Sequence, residues 1–175
     1  ELTMHTDSYE VVGLMCVHKA LKGGQSALVS SLAIHNEILR TRPELLPSLY
    51  EGFHMAVPEA KTTRKPITDE IIPVFCYVDG RVSCLYSASF MHRAAEQMGV
   101  PLPGRLAEAL KVFSELADRD DLALRFMLEP GEMILWHNFM NLHSRTRFEN
   151  HPVNKRLLLR LWLNVPEGRP VVPAL

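Results

Sequence analysis

Two distant stretches of the sequence carry residues that could bind one metal ion. His5 and Asp7 lie two positions apart near the start of the chain, and His143 lies far downstream in the stretch WHNFMNLHSRTRF. In an extended strand, residues i and i+2 point to the same side, so His5 and Asp7 could offer a nitrogen and a carboxylate oxygen to one ion. Two histidines and one carboxylate form the facial triad that holds Fe(II), and the same set could hold zinc.

A second group of residues could bind an anion. Arg156 and Arg160 lie in the leucine-rich segment KRLLLRLWL, where their spacing places both on one strand face, roughly 13 Å apart along the backbone. Buried guanidinium groups need anionic partners. Asp or Glu side chains could serve, and so could a dicarboxylate ligand, because the planar guanidinium binds carboxylates through two hydrogen bonds. Ser26, which follows a glycine pair, could add a hydroxyl.

Each of these patterns also has an ordinary structural interpretation. The His-Thr-Asp triplet is common enough to be a hydrated turn, and a single histidine such as His143 is more often a core or surface residue than a ligand. His137 lies in the same stretch and competes with His143 as the third ligand. The residues by themselves therefore leave both the metal and the ligand set open.

Composition and charge narrow the class of protein. The chain has 175 residues, enough for about one domain. Its 19 basic and 20 acidic residues give a net charge of −1, which argues against a nucleic-acid partner. No apolar run approaches the roughly 20 residues of a membrane span, and three cysteines fit buried thiols in a reducing compartment. We therefore expect a cytoplasmic protein that has neither a nucleic-acid nor a membrane partner and could form a homo-oligomer.

Strands are expected at both ends of the chain and helices between them. Apolar periodicity predicts strands at residues 9–18, 53–57, 73–78, 81–87, 122–128, 132–138, 143–147 and 156–165. It predicts helices at about residues 30–40, 43–51, 88–98 and 104–120. The polar loop 58–70 could be a lid over a site. This order predicts one mainly-β domain over residues 1–175, a sandwich or barrel with a helical and hairpin insert at about 28–118.

Taken in order, four stretches resemble the taurine dioxygenase (TauD/TfdA) family of Fe(II)- and 2-oxoglutarate-dependent oxygenases. They are HTDS, GGQSALVSS, GEMILWHNFMNLHSRTRF and KRLLLRLWLNVP, and they span almost the whole chain. The resemblance implies a double-stranded β-helix (jelly roll) of the clavaminate synthase-like type. Members of the family have a long portion before the first motif, so we expect this domain to be incomplete at its N-terminus.

On this resemblance, the iron ligands of the family fall on His5, Asp7 and His143. Related halogenases have a small residue in place of the carboxylate, so an intact Asp7 favours hydroxylation, or desaturation, over halogenation. Many members have Asp-Asn-Arg ahead of the distal histidine, whereas this chain has His-Asn-Phe. Only Asn138 is kept, and we interpret it as structural support for the metal-bearing loop.

The resemblance also assigns the cosubstrate residues. Ser26 and Arg156 match the hydroxyl and the arginine for the far carboxylate of 2-oxoglutarate, and Arg160 lies near its other carboxylate or the acid group of the substrate. The implied reaction uses O₂ to oxidise, most simply hydroxylate, an unactivated C–H bond of a small anionic or amino-acid-like molecule, with release of succinate and CO₂. A zinc hydrolase with the same ligands and a non-catalytic jelly-roll binding module are the alternatives.

Overall fold

The chain folds into antiparallel sheets and a helical region. The computed structural model describes residues 1–57 and 66–171. The strands are β1 (Leu2–His5), β2 (Val11–His18), β3 (Lys22–Gly23), β4 (Ser26–Ser30), β5 (Phe75–Val78), β6 (Arg81–Cys84), β7 (Ala123–Phe126), β8 (Met133–His137), β9 (Asn141–Arg145), β10 (Phe148–Glu149) and β11 (Leu157–Leu163). The helices are α1 (Ser31–Thr41), α2 (Leu46–Glu51), α3 (Ala88–Met98) and α4 (Gly104–Ala117), with 3₁₀ turns at Pro43–Leu45 and Asn138–Met140. Among these described helices, none has the length and hydrophobicity needed to span a membrane.

Strands from opposite ends of the chain are neighbours in both main sheets. One sheet has four antiparallel strands in the order β1-β9-β4-β7, and the other has three in the order β11-β2-β8. Two small ribbons, β3 with β10 and β5 with β6, complete the described strands. Because β1 pairs with β9, the first residues of the chain lie directly beside the stretch that contains His143.

The helical region between β4 and β7 supplies most of the apolar core. Apolar side chains of α1, α2, α3 and α4 pack together with residues of the β5–β6 hairpin in one buried cluster. Tyr86 lies at the end of this hairpin and stacks on Phe113 of α4, with ring centroids 4.0 Å apart. The helices therefore form a packed support behind the sheet that carries the candidate residues.

Most predicted elements are confirmed, and one predicted strand is wrong. The Asp79-Gly80 turn is present, with positive φ at both residues, as the type of turn between β5 and β6 requires. Residues 53–57 form only isolated bridges, from Phe53 to Ile72 and from Ala56 to Ile67. A regular ladder is absent from this described segment because the Met55 backbone N–H donates instead to the side chain of Thr68.

The sequence also left some features undetected or untested. Strand β4 was not predicted: Ser26–Ser30 pairs with both β7 and β9, and α1 begins only at Ser31. The proposed lid, 58–70, lies for the most part outside the described residues, so its role stays a prediction. The cysteines Cys16, Cys76 and Cys84 are buried free thiols.

Candidate metal centre

Three predicted ligands meet at one point of the fold. The ligand atoms of His5, Asp7 and His143 all lie within 4.8 Å of one another. The Nε2 atom of His5 is 3.8 Å from Asp7 Oδ1, and the Nε2 atom of His143 is 3.8 Å from Asp7 Oδ2. These separations are too long for hydrogen bonds, and they approach the roughly 3 Å between neighbouring ligand atoms bound at about 2.1 Å to one ion. The donor set therefore fits a divalent metal such as Fe(II) or zinc.

Pairing of β1 with β9 brings the two histidines together. His5 and His143 are directly opposite each other in the antiparallel register, and their ring centroids are 4.2 Å apart. His5 donates from Nδ1 to the backbone carbonyl of Thr3 at 2.8 Å. This hydrogen bond leaves the lone pair of Nε2 free for a metal, which is the usual arrangement of a metal-binding histidine.

The environment of His143 keeps its imidazole neutral. The side chain is buried on β9, and the ring of Trp136 lies 5.0 Å away. Burial, followed by repulsion from the neighbouring His5, lowers the pKa of His143 to about 4, although Asp7 acts in the opposite direction. A neutral imidazole at pH 7 can bind a metal without first losing a proton.

Hydrogen bonds of two side chains, those of Asn138 and Thr6, fix the backbone around His5 and Asp7. Asn138 is fully buried, accepts the backbone N–H of Asp7 at 2.9 Å and donates to the carbonyl of Asp7 at 2.5 Å. The buried Thr6 is joined to Tyr86 by two hydrogen bonds of 2.9 Å, one through its backbone N–H and one through its hydroxyl. The chain between the two ligands is thus fixed from the β8–β9 connection and from the helical region at once.

The carboxylate of Asp7 is itself held from the second sheet. Trp162 of β11 donates from Nε1 to Asp7 Oδ2 at 2.7 Å, and Nη1 of Arg160 lies 3.5 Å from the same oxygen. Arg160 therefore has an acidic partner, and it lies at the metal end of the site.

A cavity of about 470 Å³ extends from His143 between the two sheets. The polar side chains in its wall, besides His143, are those of Ser26, Ser144, Arg145, Arg156 and Arg160. Both arginines that the sequence singled out therefore face one cavity, as expected from their spacing. Ser26 and Arg156 also line a second, smaller cavity together, and His5, Asp7 and His143 are not in its wall.

The cavity contains two guanidinium groups without an acidic partner in the described chain. Arg145 and Arg156 lie against the ring of Phe148, with their guanidinium carbons 4.6 Å and 5.1 Å from its centroid. Neither forms an ion pair within residues 1–57 and 66–171. Burial, and then the nearby charge of Arg145, lowers the pKa of Arg156. Two positive charges held close together in this way favour the binding of an anion.

The glycine pair before Ser26 allows this end of the cavity to form. Gly24 has φ of 79°, a conformation that residues with a Cβ rarely adopt. A Cβ at this position would lie 3.1 Å from Nε of Arg156. The second glycine therefore lets the backbone turn and lie beside the guanidinium group.

The structure also shows which residues the sequence interpretation missed. His137 is not part of the metal cluster: its Nε2 lies 3.4 Å from Glu10. The sequence analysis does not select Arg145 or Trp162 as site residues. Arg145 lies two positions after His143, and Trp162 lies two positions after Arg160. This is the spacing that places strand residues on one face. That periodicity, applied forward from His143 and from Arg160, would have found both.

Comparison with known sequences agrees with this geometry. The family model described as taurine catabolism dioxygenase TauD, TfdA family matches residues 1–162. The chain is 30% identical over 173 residues to the FR-33289 synthase of Streptomyces rubellomurinus, covering 96% of this chain and 51% of that protein. It is 28% identical over 166 residues to a uridine-5'-phosphate dioxygenase of a Streptomyces species, covering 88% and 56%. The chain thus spans about half the length of the curated relatives it matches.

Solved structures share the fold at lower identity. Asparagine oxygenase in complex with Fe(II), 2S,3S-3-hydroxyasparagine and succinate matches with a TM-score of 0.74 and 20% identity, covering 93% of this chain and 50% of that one. The non-heme iron oxygenase OrfP in complex with Fe and alpha-ketoglutaric acid (2-oxoglutarate) matches with a TM-score of 0.65 and 14% identity, covering 94% and 50%. The jelly-roll prediction is confirmed. The chain belongs to the TauD/TfdA family of dioxygenases, which use Fe(II), 2-oxoglutarate and O₂.

Proposed function

We propose that this protein is an Fe(II)- and 2-oxoglutarate-dependent dioxygenase that hydroxylates a small anionic or amino-acid-like molecule. The observation that carries this proposal is the convergence of His5, Asp7 and His143 at a cavity that contains Arg145 and Arg156 without acidic partners among the described residues. Metal ligands and an anion-binding wall at one cavity are what a metal-bound dicarboxylate cosubstrate needs.

In this proposal, His5, Asp7 and His143 hold the iron through two neutral nitrogens and one carboxylate oxygen. When bound, Fe(II) supplies the activation of O₂ that couples conversion of 2-oxoglutarate to succinate and CO₂ with oxidation of a C–H bond. The protein residues fix where this happens. Asn138 and Thr6 hold the ligand-bearing backbone, and the Leu, Phe and Trp side chains of the cavity wall limit access of water.

Ser26 and Arg156 anchor the far carboxylate of 2-oxoglutarate in this proposal, and Arg145 adds a second guanidinium to the same end. Arg145 is directly opposite Ser26 in the β9–β4 pairing, so both side chains lie on the cavity side of the sheet. Arg160 lies at the other end, next to Asp7, and is 41% exposed. In this proposal, Arg160 binds the acid group of a substrate or the metal-proximal carboxylate.

The names of relatives support a small polar substrate. One relative is named for uridine-5'-phosphate, and solved neighbours were crystallised with 2S,3S-3-hydroxyasparagine and with (3S)-hydroxy-L-Arg. The last two are hydroxylated amino acids, which supports hydroxylation as the outcome here. The half-exposed Arg160 beside the metal centre would favour a substrate with a negative group.

The two alternative functions, a zinc hydrolase and a non-catalytic binding module, account for fewer of the observed metal ligands and cavity charges. A zinc hydrolase could use the same three ligands, but it leaves Arg145 and Arg156 without a function. A non-catalytic jelly-roll module would need neither the metal ligands nor the cavity charges. Turnover that depends on 2-oxoglutarate separates the oxygenase from the hydrolase, and stoichiometric succinate release excludes the binding module.

The ligand assignment can be tested under anaerobic conditions. Addition of Fe(II) and 2-oxoglutarate should produce the weak visible charge-transfer band of the chelate. We expect Asp7→Ala and His143→Ala each to abolish this band. His137→Ala is the matched control, because it removes the other histidine of the same stretch and should keep the band. If both ligand variants kept it, the assignment would be wrong.

A further inference from the structure

The two oxygens of the Asp7 carboxylate have different surroundings. Oδ2 accepts the indole N–H of Trp162 at 2.7 Å and lies 3.5 Å from Nη1 of Arg160. Each oxygen lies 3.8 Å from a histidine nitrogen, Oδ1 from Nε2 of His5 and Oδ2 from Nε2 of His143. Among the described residues, however, only Oδ2 accepts a hydrogen bond, and both of its neighbouring donors belong to β11, so Oδ1 is the oxygen whose lone pairs are all available to a metal.

The indole is fixed in the orientation that this hydrogen bond needs. The guanidinium carbon of Arg160 lies 4.2 Å from the Trp162 ring centroid. The ring of Tyr9 stacks on Trp162 at 5.2 Å with an angle of 14° between the planes. On the backbone, Trp162 pairs with Val12, one position before the end of the β11–β2 ladder. The side chain is therefore restrained by stacking and by strand register, even though the residue is 42% exposed.

The other tryptophan of the chain provides an internal comparison. Trp136 also pairs with Val12, from β8, and its ring lies 5.0 Å from His143. Its Nε1 is buried and has no hydrogen-bond partner in the described part of the chain. Both tryptophans thus lie beside proposed ligands. Within the described residues, only Trp162 donates its indole N–H to a ligand side chain, that of Asp7.

We infer that Trp162 is a positioning residue that, together with Arg160, makes Asp7 bind the metal through one oxygen. The inference rests on the proposed metal centre and deepens it. Binding through both oxygens would occupy one more metal position, which 2-oxoglutarate or O₂ requires. A hydrogen bond to the second oxygen also orients the carboxylate, and loss of such outer contacts typically weakens metal binding about 10- to 100-fold.

Metal titration tests this role without reference to turnover. We expect Trp162→Phe to raise the Kd for Mn(II), measured by electron paramagnetic resonance without 2-oxoglutarate, by about 10- to 100-fold. Phenylalanine keeps a six-membered ring for Arg160 and Tyr9 to stack on and removes the N–H donor. Trp136→Phe, which removes an indole N–H that has no hydrogen-bond partner among the described residues, is the comparison and should raise the Kd less than Trp162→Phe does. Equal affinity of Trp162→Phe and the wild type would overturn the inference.

A second measurement uses the metal-free protein and does not require a folded Trp162 variant. In the ¹H–¹⁵N spectrum, the indole N–H of Trp162 should exchange slowly with solvent although its ring is exposed, and Asp7→Ala should accelerate that exchange and shift the signal. An unchanged signal in Asp7→Ala would show that the hydrogen bond is absent and would overturn the inference. If the wild type bound no Mn(II), the metal centre of the proposed function would fail instead, a result distinguishable from failure of the variant alone.

Discussion

The side chain of Asn138 forms hydrogen bonds to the Asp7 backbone like those of a neighbouring strand. Its side-chain amide has an acceptor oxygen and a donor nitrogen, and these bind the N–H and the carbonyl of the Asp7 backbone respectively. The Asn138 backbone N–H in turn donates to the carbonyl of Glu10 at 2.7 Å. Asp7, two positions after the end of β1, thus has hydrogen bonds at both backbone groups, as a residue paired inside a sheet would.

Removing this amide should affect stability and metal binding together. Asn138→Ala leaves two partly buried backbone groups of Asp7 unpaired, so we expect the free energy of unfolding to fall by about 2–4 kcal/mol and the affinity for Mn(II) to fall as well. Asn141→Ala removes a single hydrogen bond, from Nδ2 to the His137 carbonyl, and should cost about 1 kcal/mol. Urea denaturation measures the free energy of unfolding of both variants. Equal losses would contradict the role of Asn138 in holding the Asp7 backbone.

Arg145 should contribute to cosubstrate affinity. Arg145→Met removes one guanidinium from the cavity and keeps much of the contact with Phe148. We expect the Kd for 2-oxoglutarate, measured by calorimetry on the Mn(II)-loaded protein, to rise about tenfold, as for loss of one charged hydrogen bond. Arg147→Met is the control, since that side chain is 87% exposed and pairs with Glu1. An equal effect of both substitutions would indicate only a change in net charge.

The sequence predicted the ligands better than the residues that orient them. His5, Asp7 and His143 are assigned by the resemblance of four ordered stretches to the family, because each pattern by itself also has an ordinary structural interpretation. Trp162 resembles any core aromatic in a leucine-rich strand, and its N–H acquires a role only when β11 is placed beside Asp7. That placement depends on pairing between distant strands, which local patterns do not specify.

Among the elements, α1 and the end of α4 are joined by charge as well as by packing. Glu37 of α1 accepts hydrogen bonds from Arg40 on the same helix and from Arg119, just after α4, at 2.7 Å. These two guanidinium groups lower the pKa of Glu37 to about 2. The ionised form of Glu37 is therefore favoured in the folded protein.

This shift has a defined effect on stability. Because the pKa of Glu37 is lower in the folded state than its usual 4.5, its contribution is complete above about pH 4.5 and is lost as the pH falls towards 2. We expect Glu37→Gln to lower the urea midpoint at pH 7 and to reduce the loss of stability between pH 4.5 and 2. Glu115→Gln, at a 62% exposed position on α4, should leave both nearly unchanged. Parallel pH profiles for Glu37→Gln and the wild type would contradict this prediction.

The structure gives physical reasons why two elements were predicted incorrectly from the sequence. Strand β4 runs directly into α1, and the hydroxyl of Ser30 caps the helix by accepting the Ala33 N–H, so no glycine or proline marks the change. Its apolar residues also fit the helical spacing that follows. The wrong strand at 53–57 has suitable residue types, but its segment bonds to the Thr68 side chain instead of forming a ladder.

At the scale of the whole molecule, the outer face of the β11-β2-β8 sheet exposes large apolar side chains. Residues in register across the three strands form continuous apolar rows. The exposed members are Met15, Met133, Leu135, Leu159, Leu161 and Leu163. Contiguous apolar surface of this kind promotes association, which bears on the homo-oligomer that the sequence left as a prediction.

This face should control the behaviour of the protein at high concentration. We expect the chain to associate in sedimentation velocity as its concentration rises, and Leu161→Lys to reduce that association. Leu161 is 55% exposed, so the lysine should have little effect on folding. Leu124→Lys, at an exposed position of β7 in the other sheet, is the control. If both variants associated like the wild type, another surface would be responsible.

The opposition of His5 and His143 across β1 and β9 has a consequence beyond chemistry. Strand β1 has four residues at the edge of its sheet and contains the first ligand, whereas the third ligand lies 138 residues further along the chain. An ion bound by both would act as a reversible cross-link that closes a very long loop, comparable to a disulfide in its effect on the unfolded chain. Metal supply would then determine how firmly the first strand stays paired, and amide exchange at Thr3–His5 would report metal loading directly.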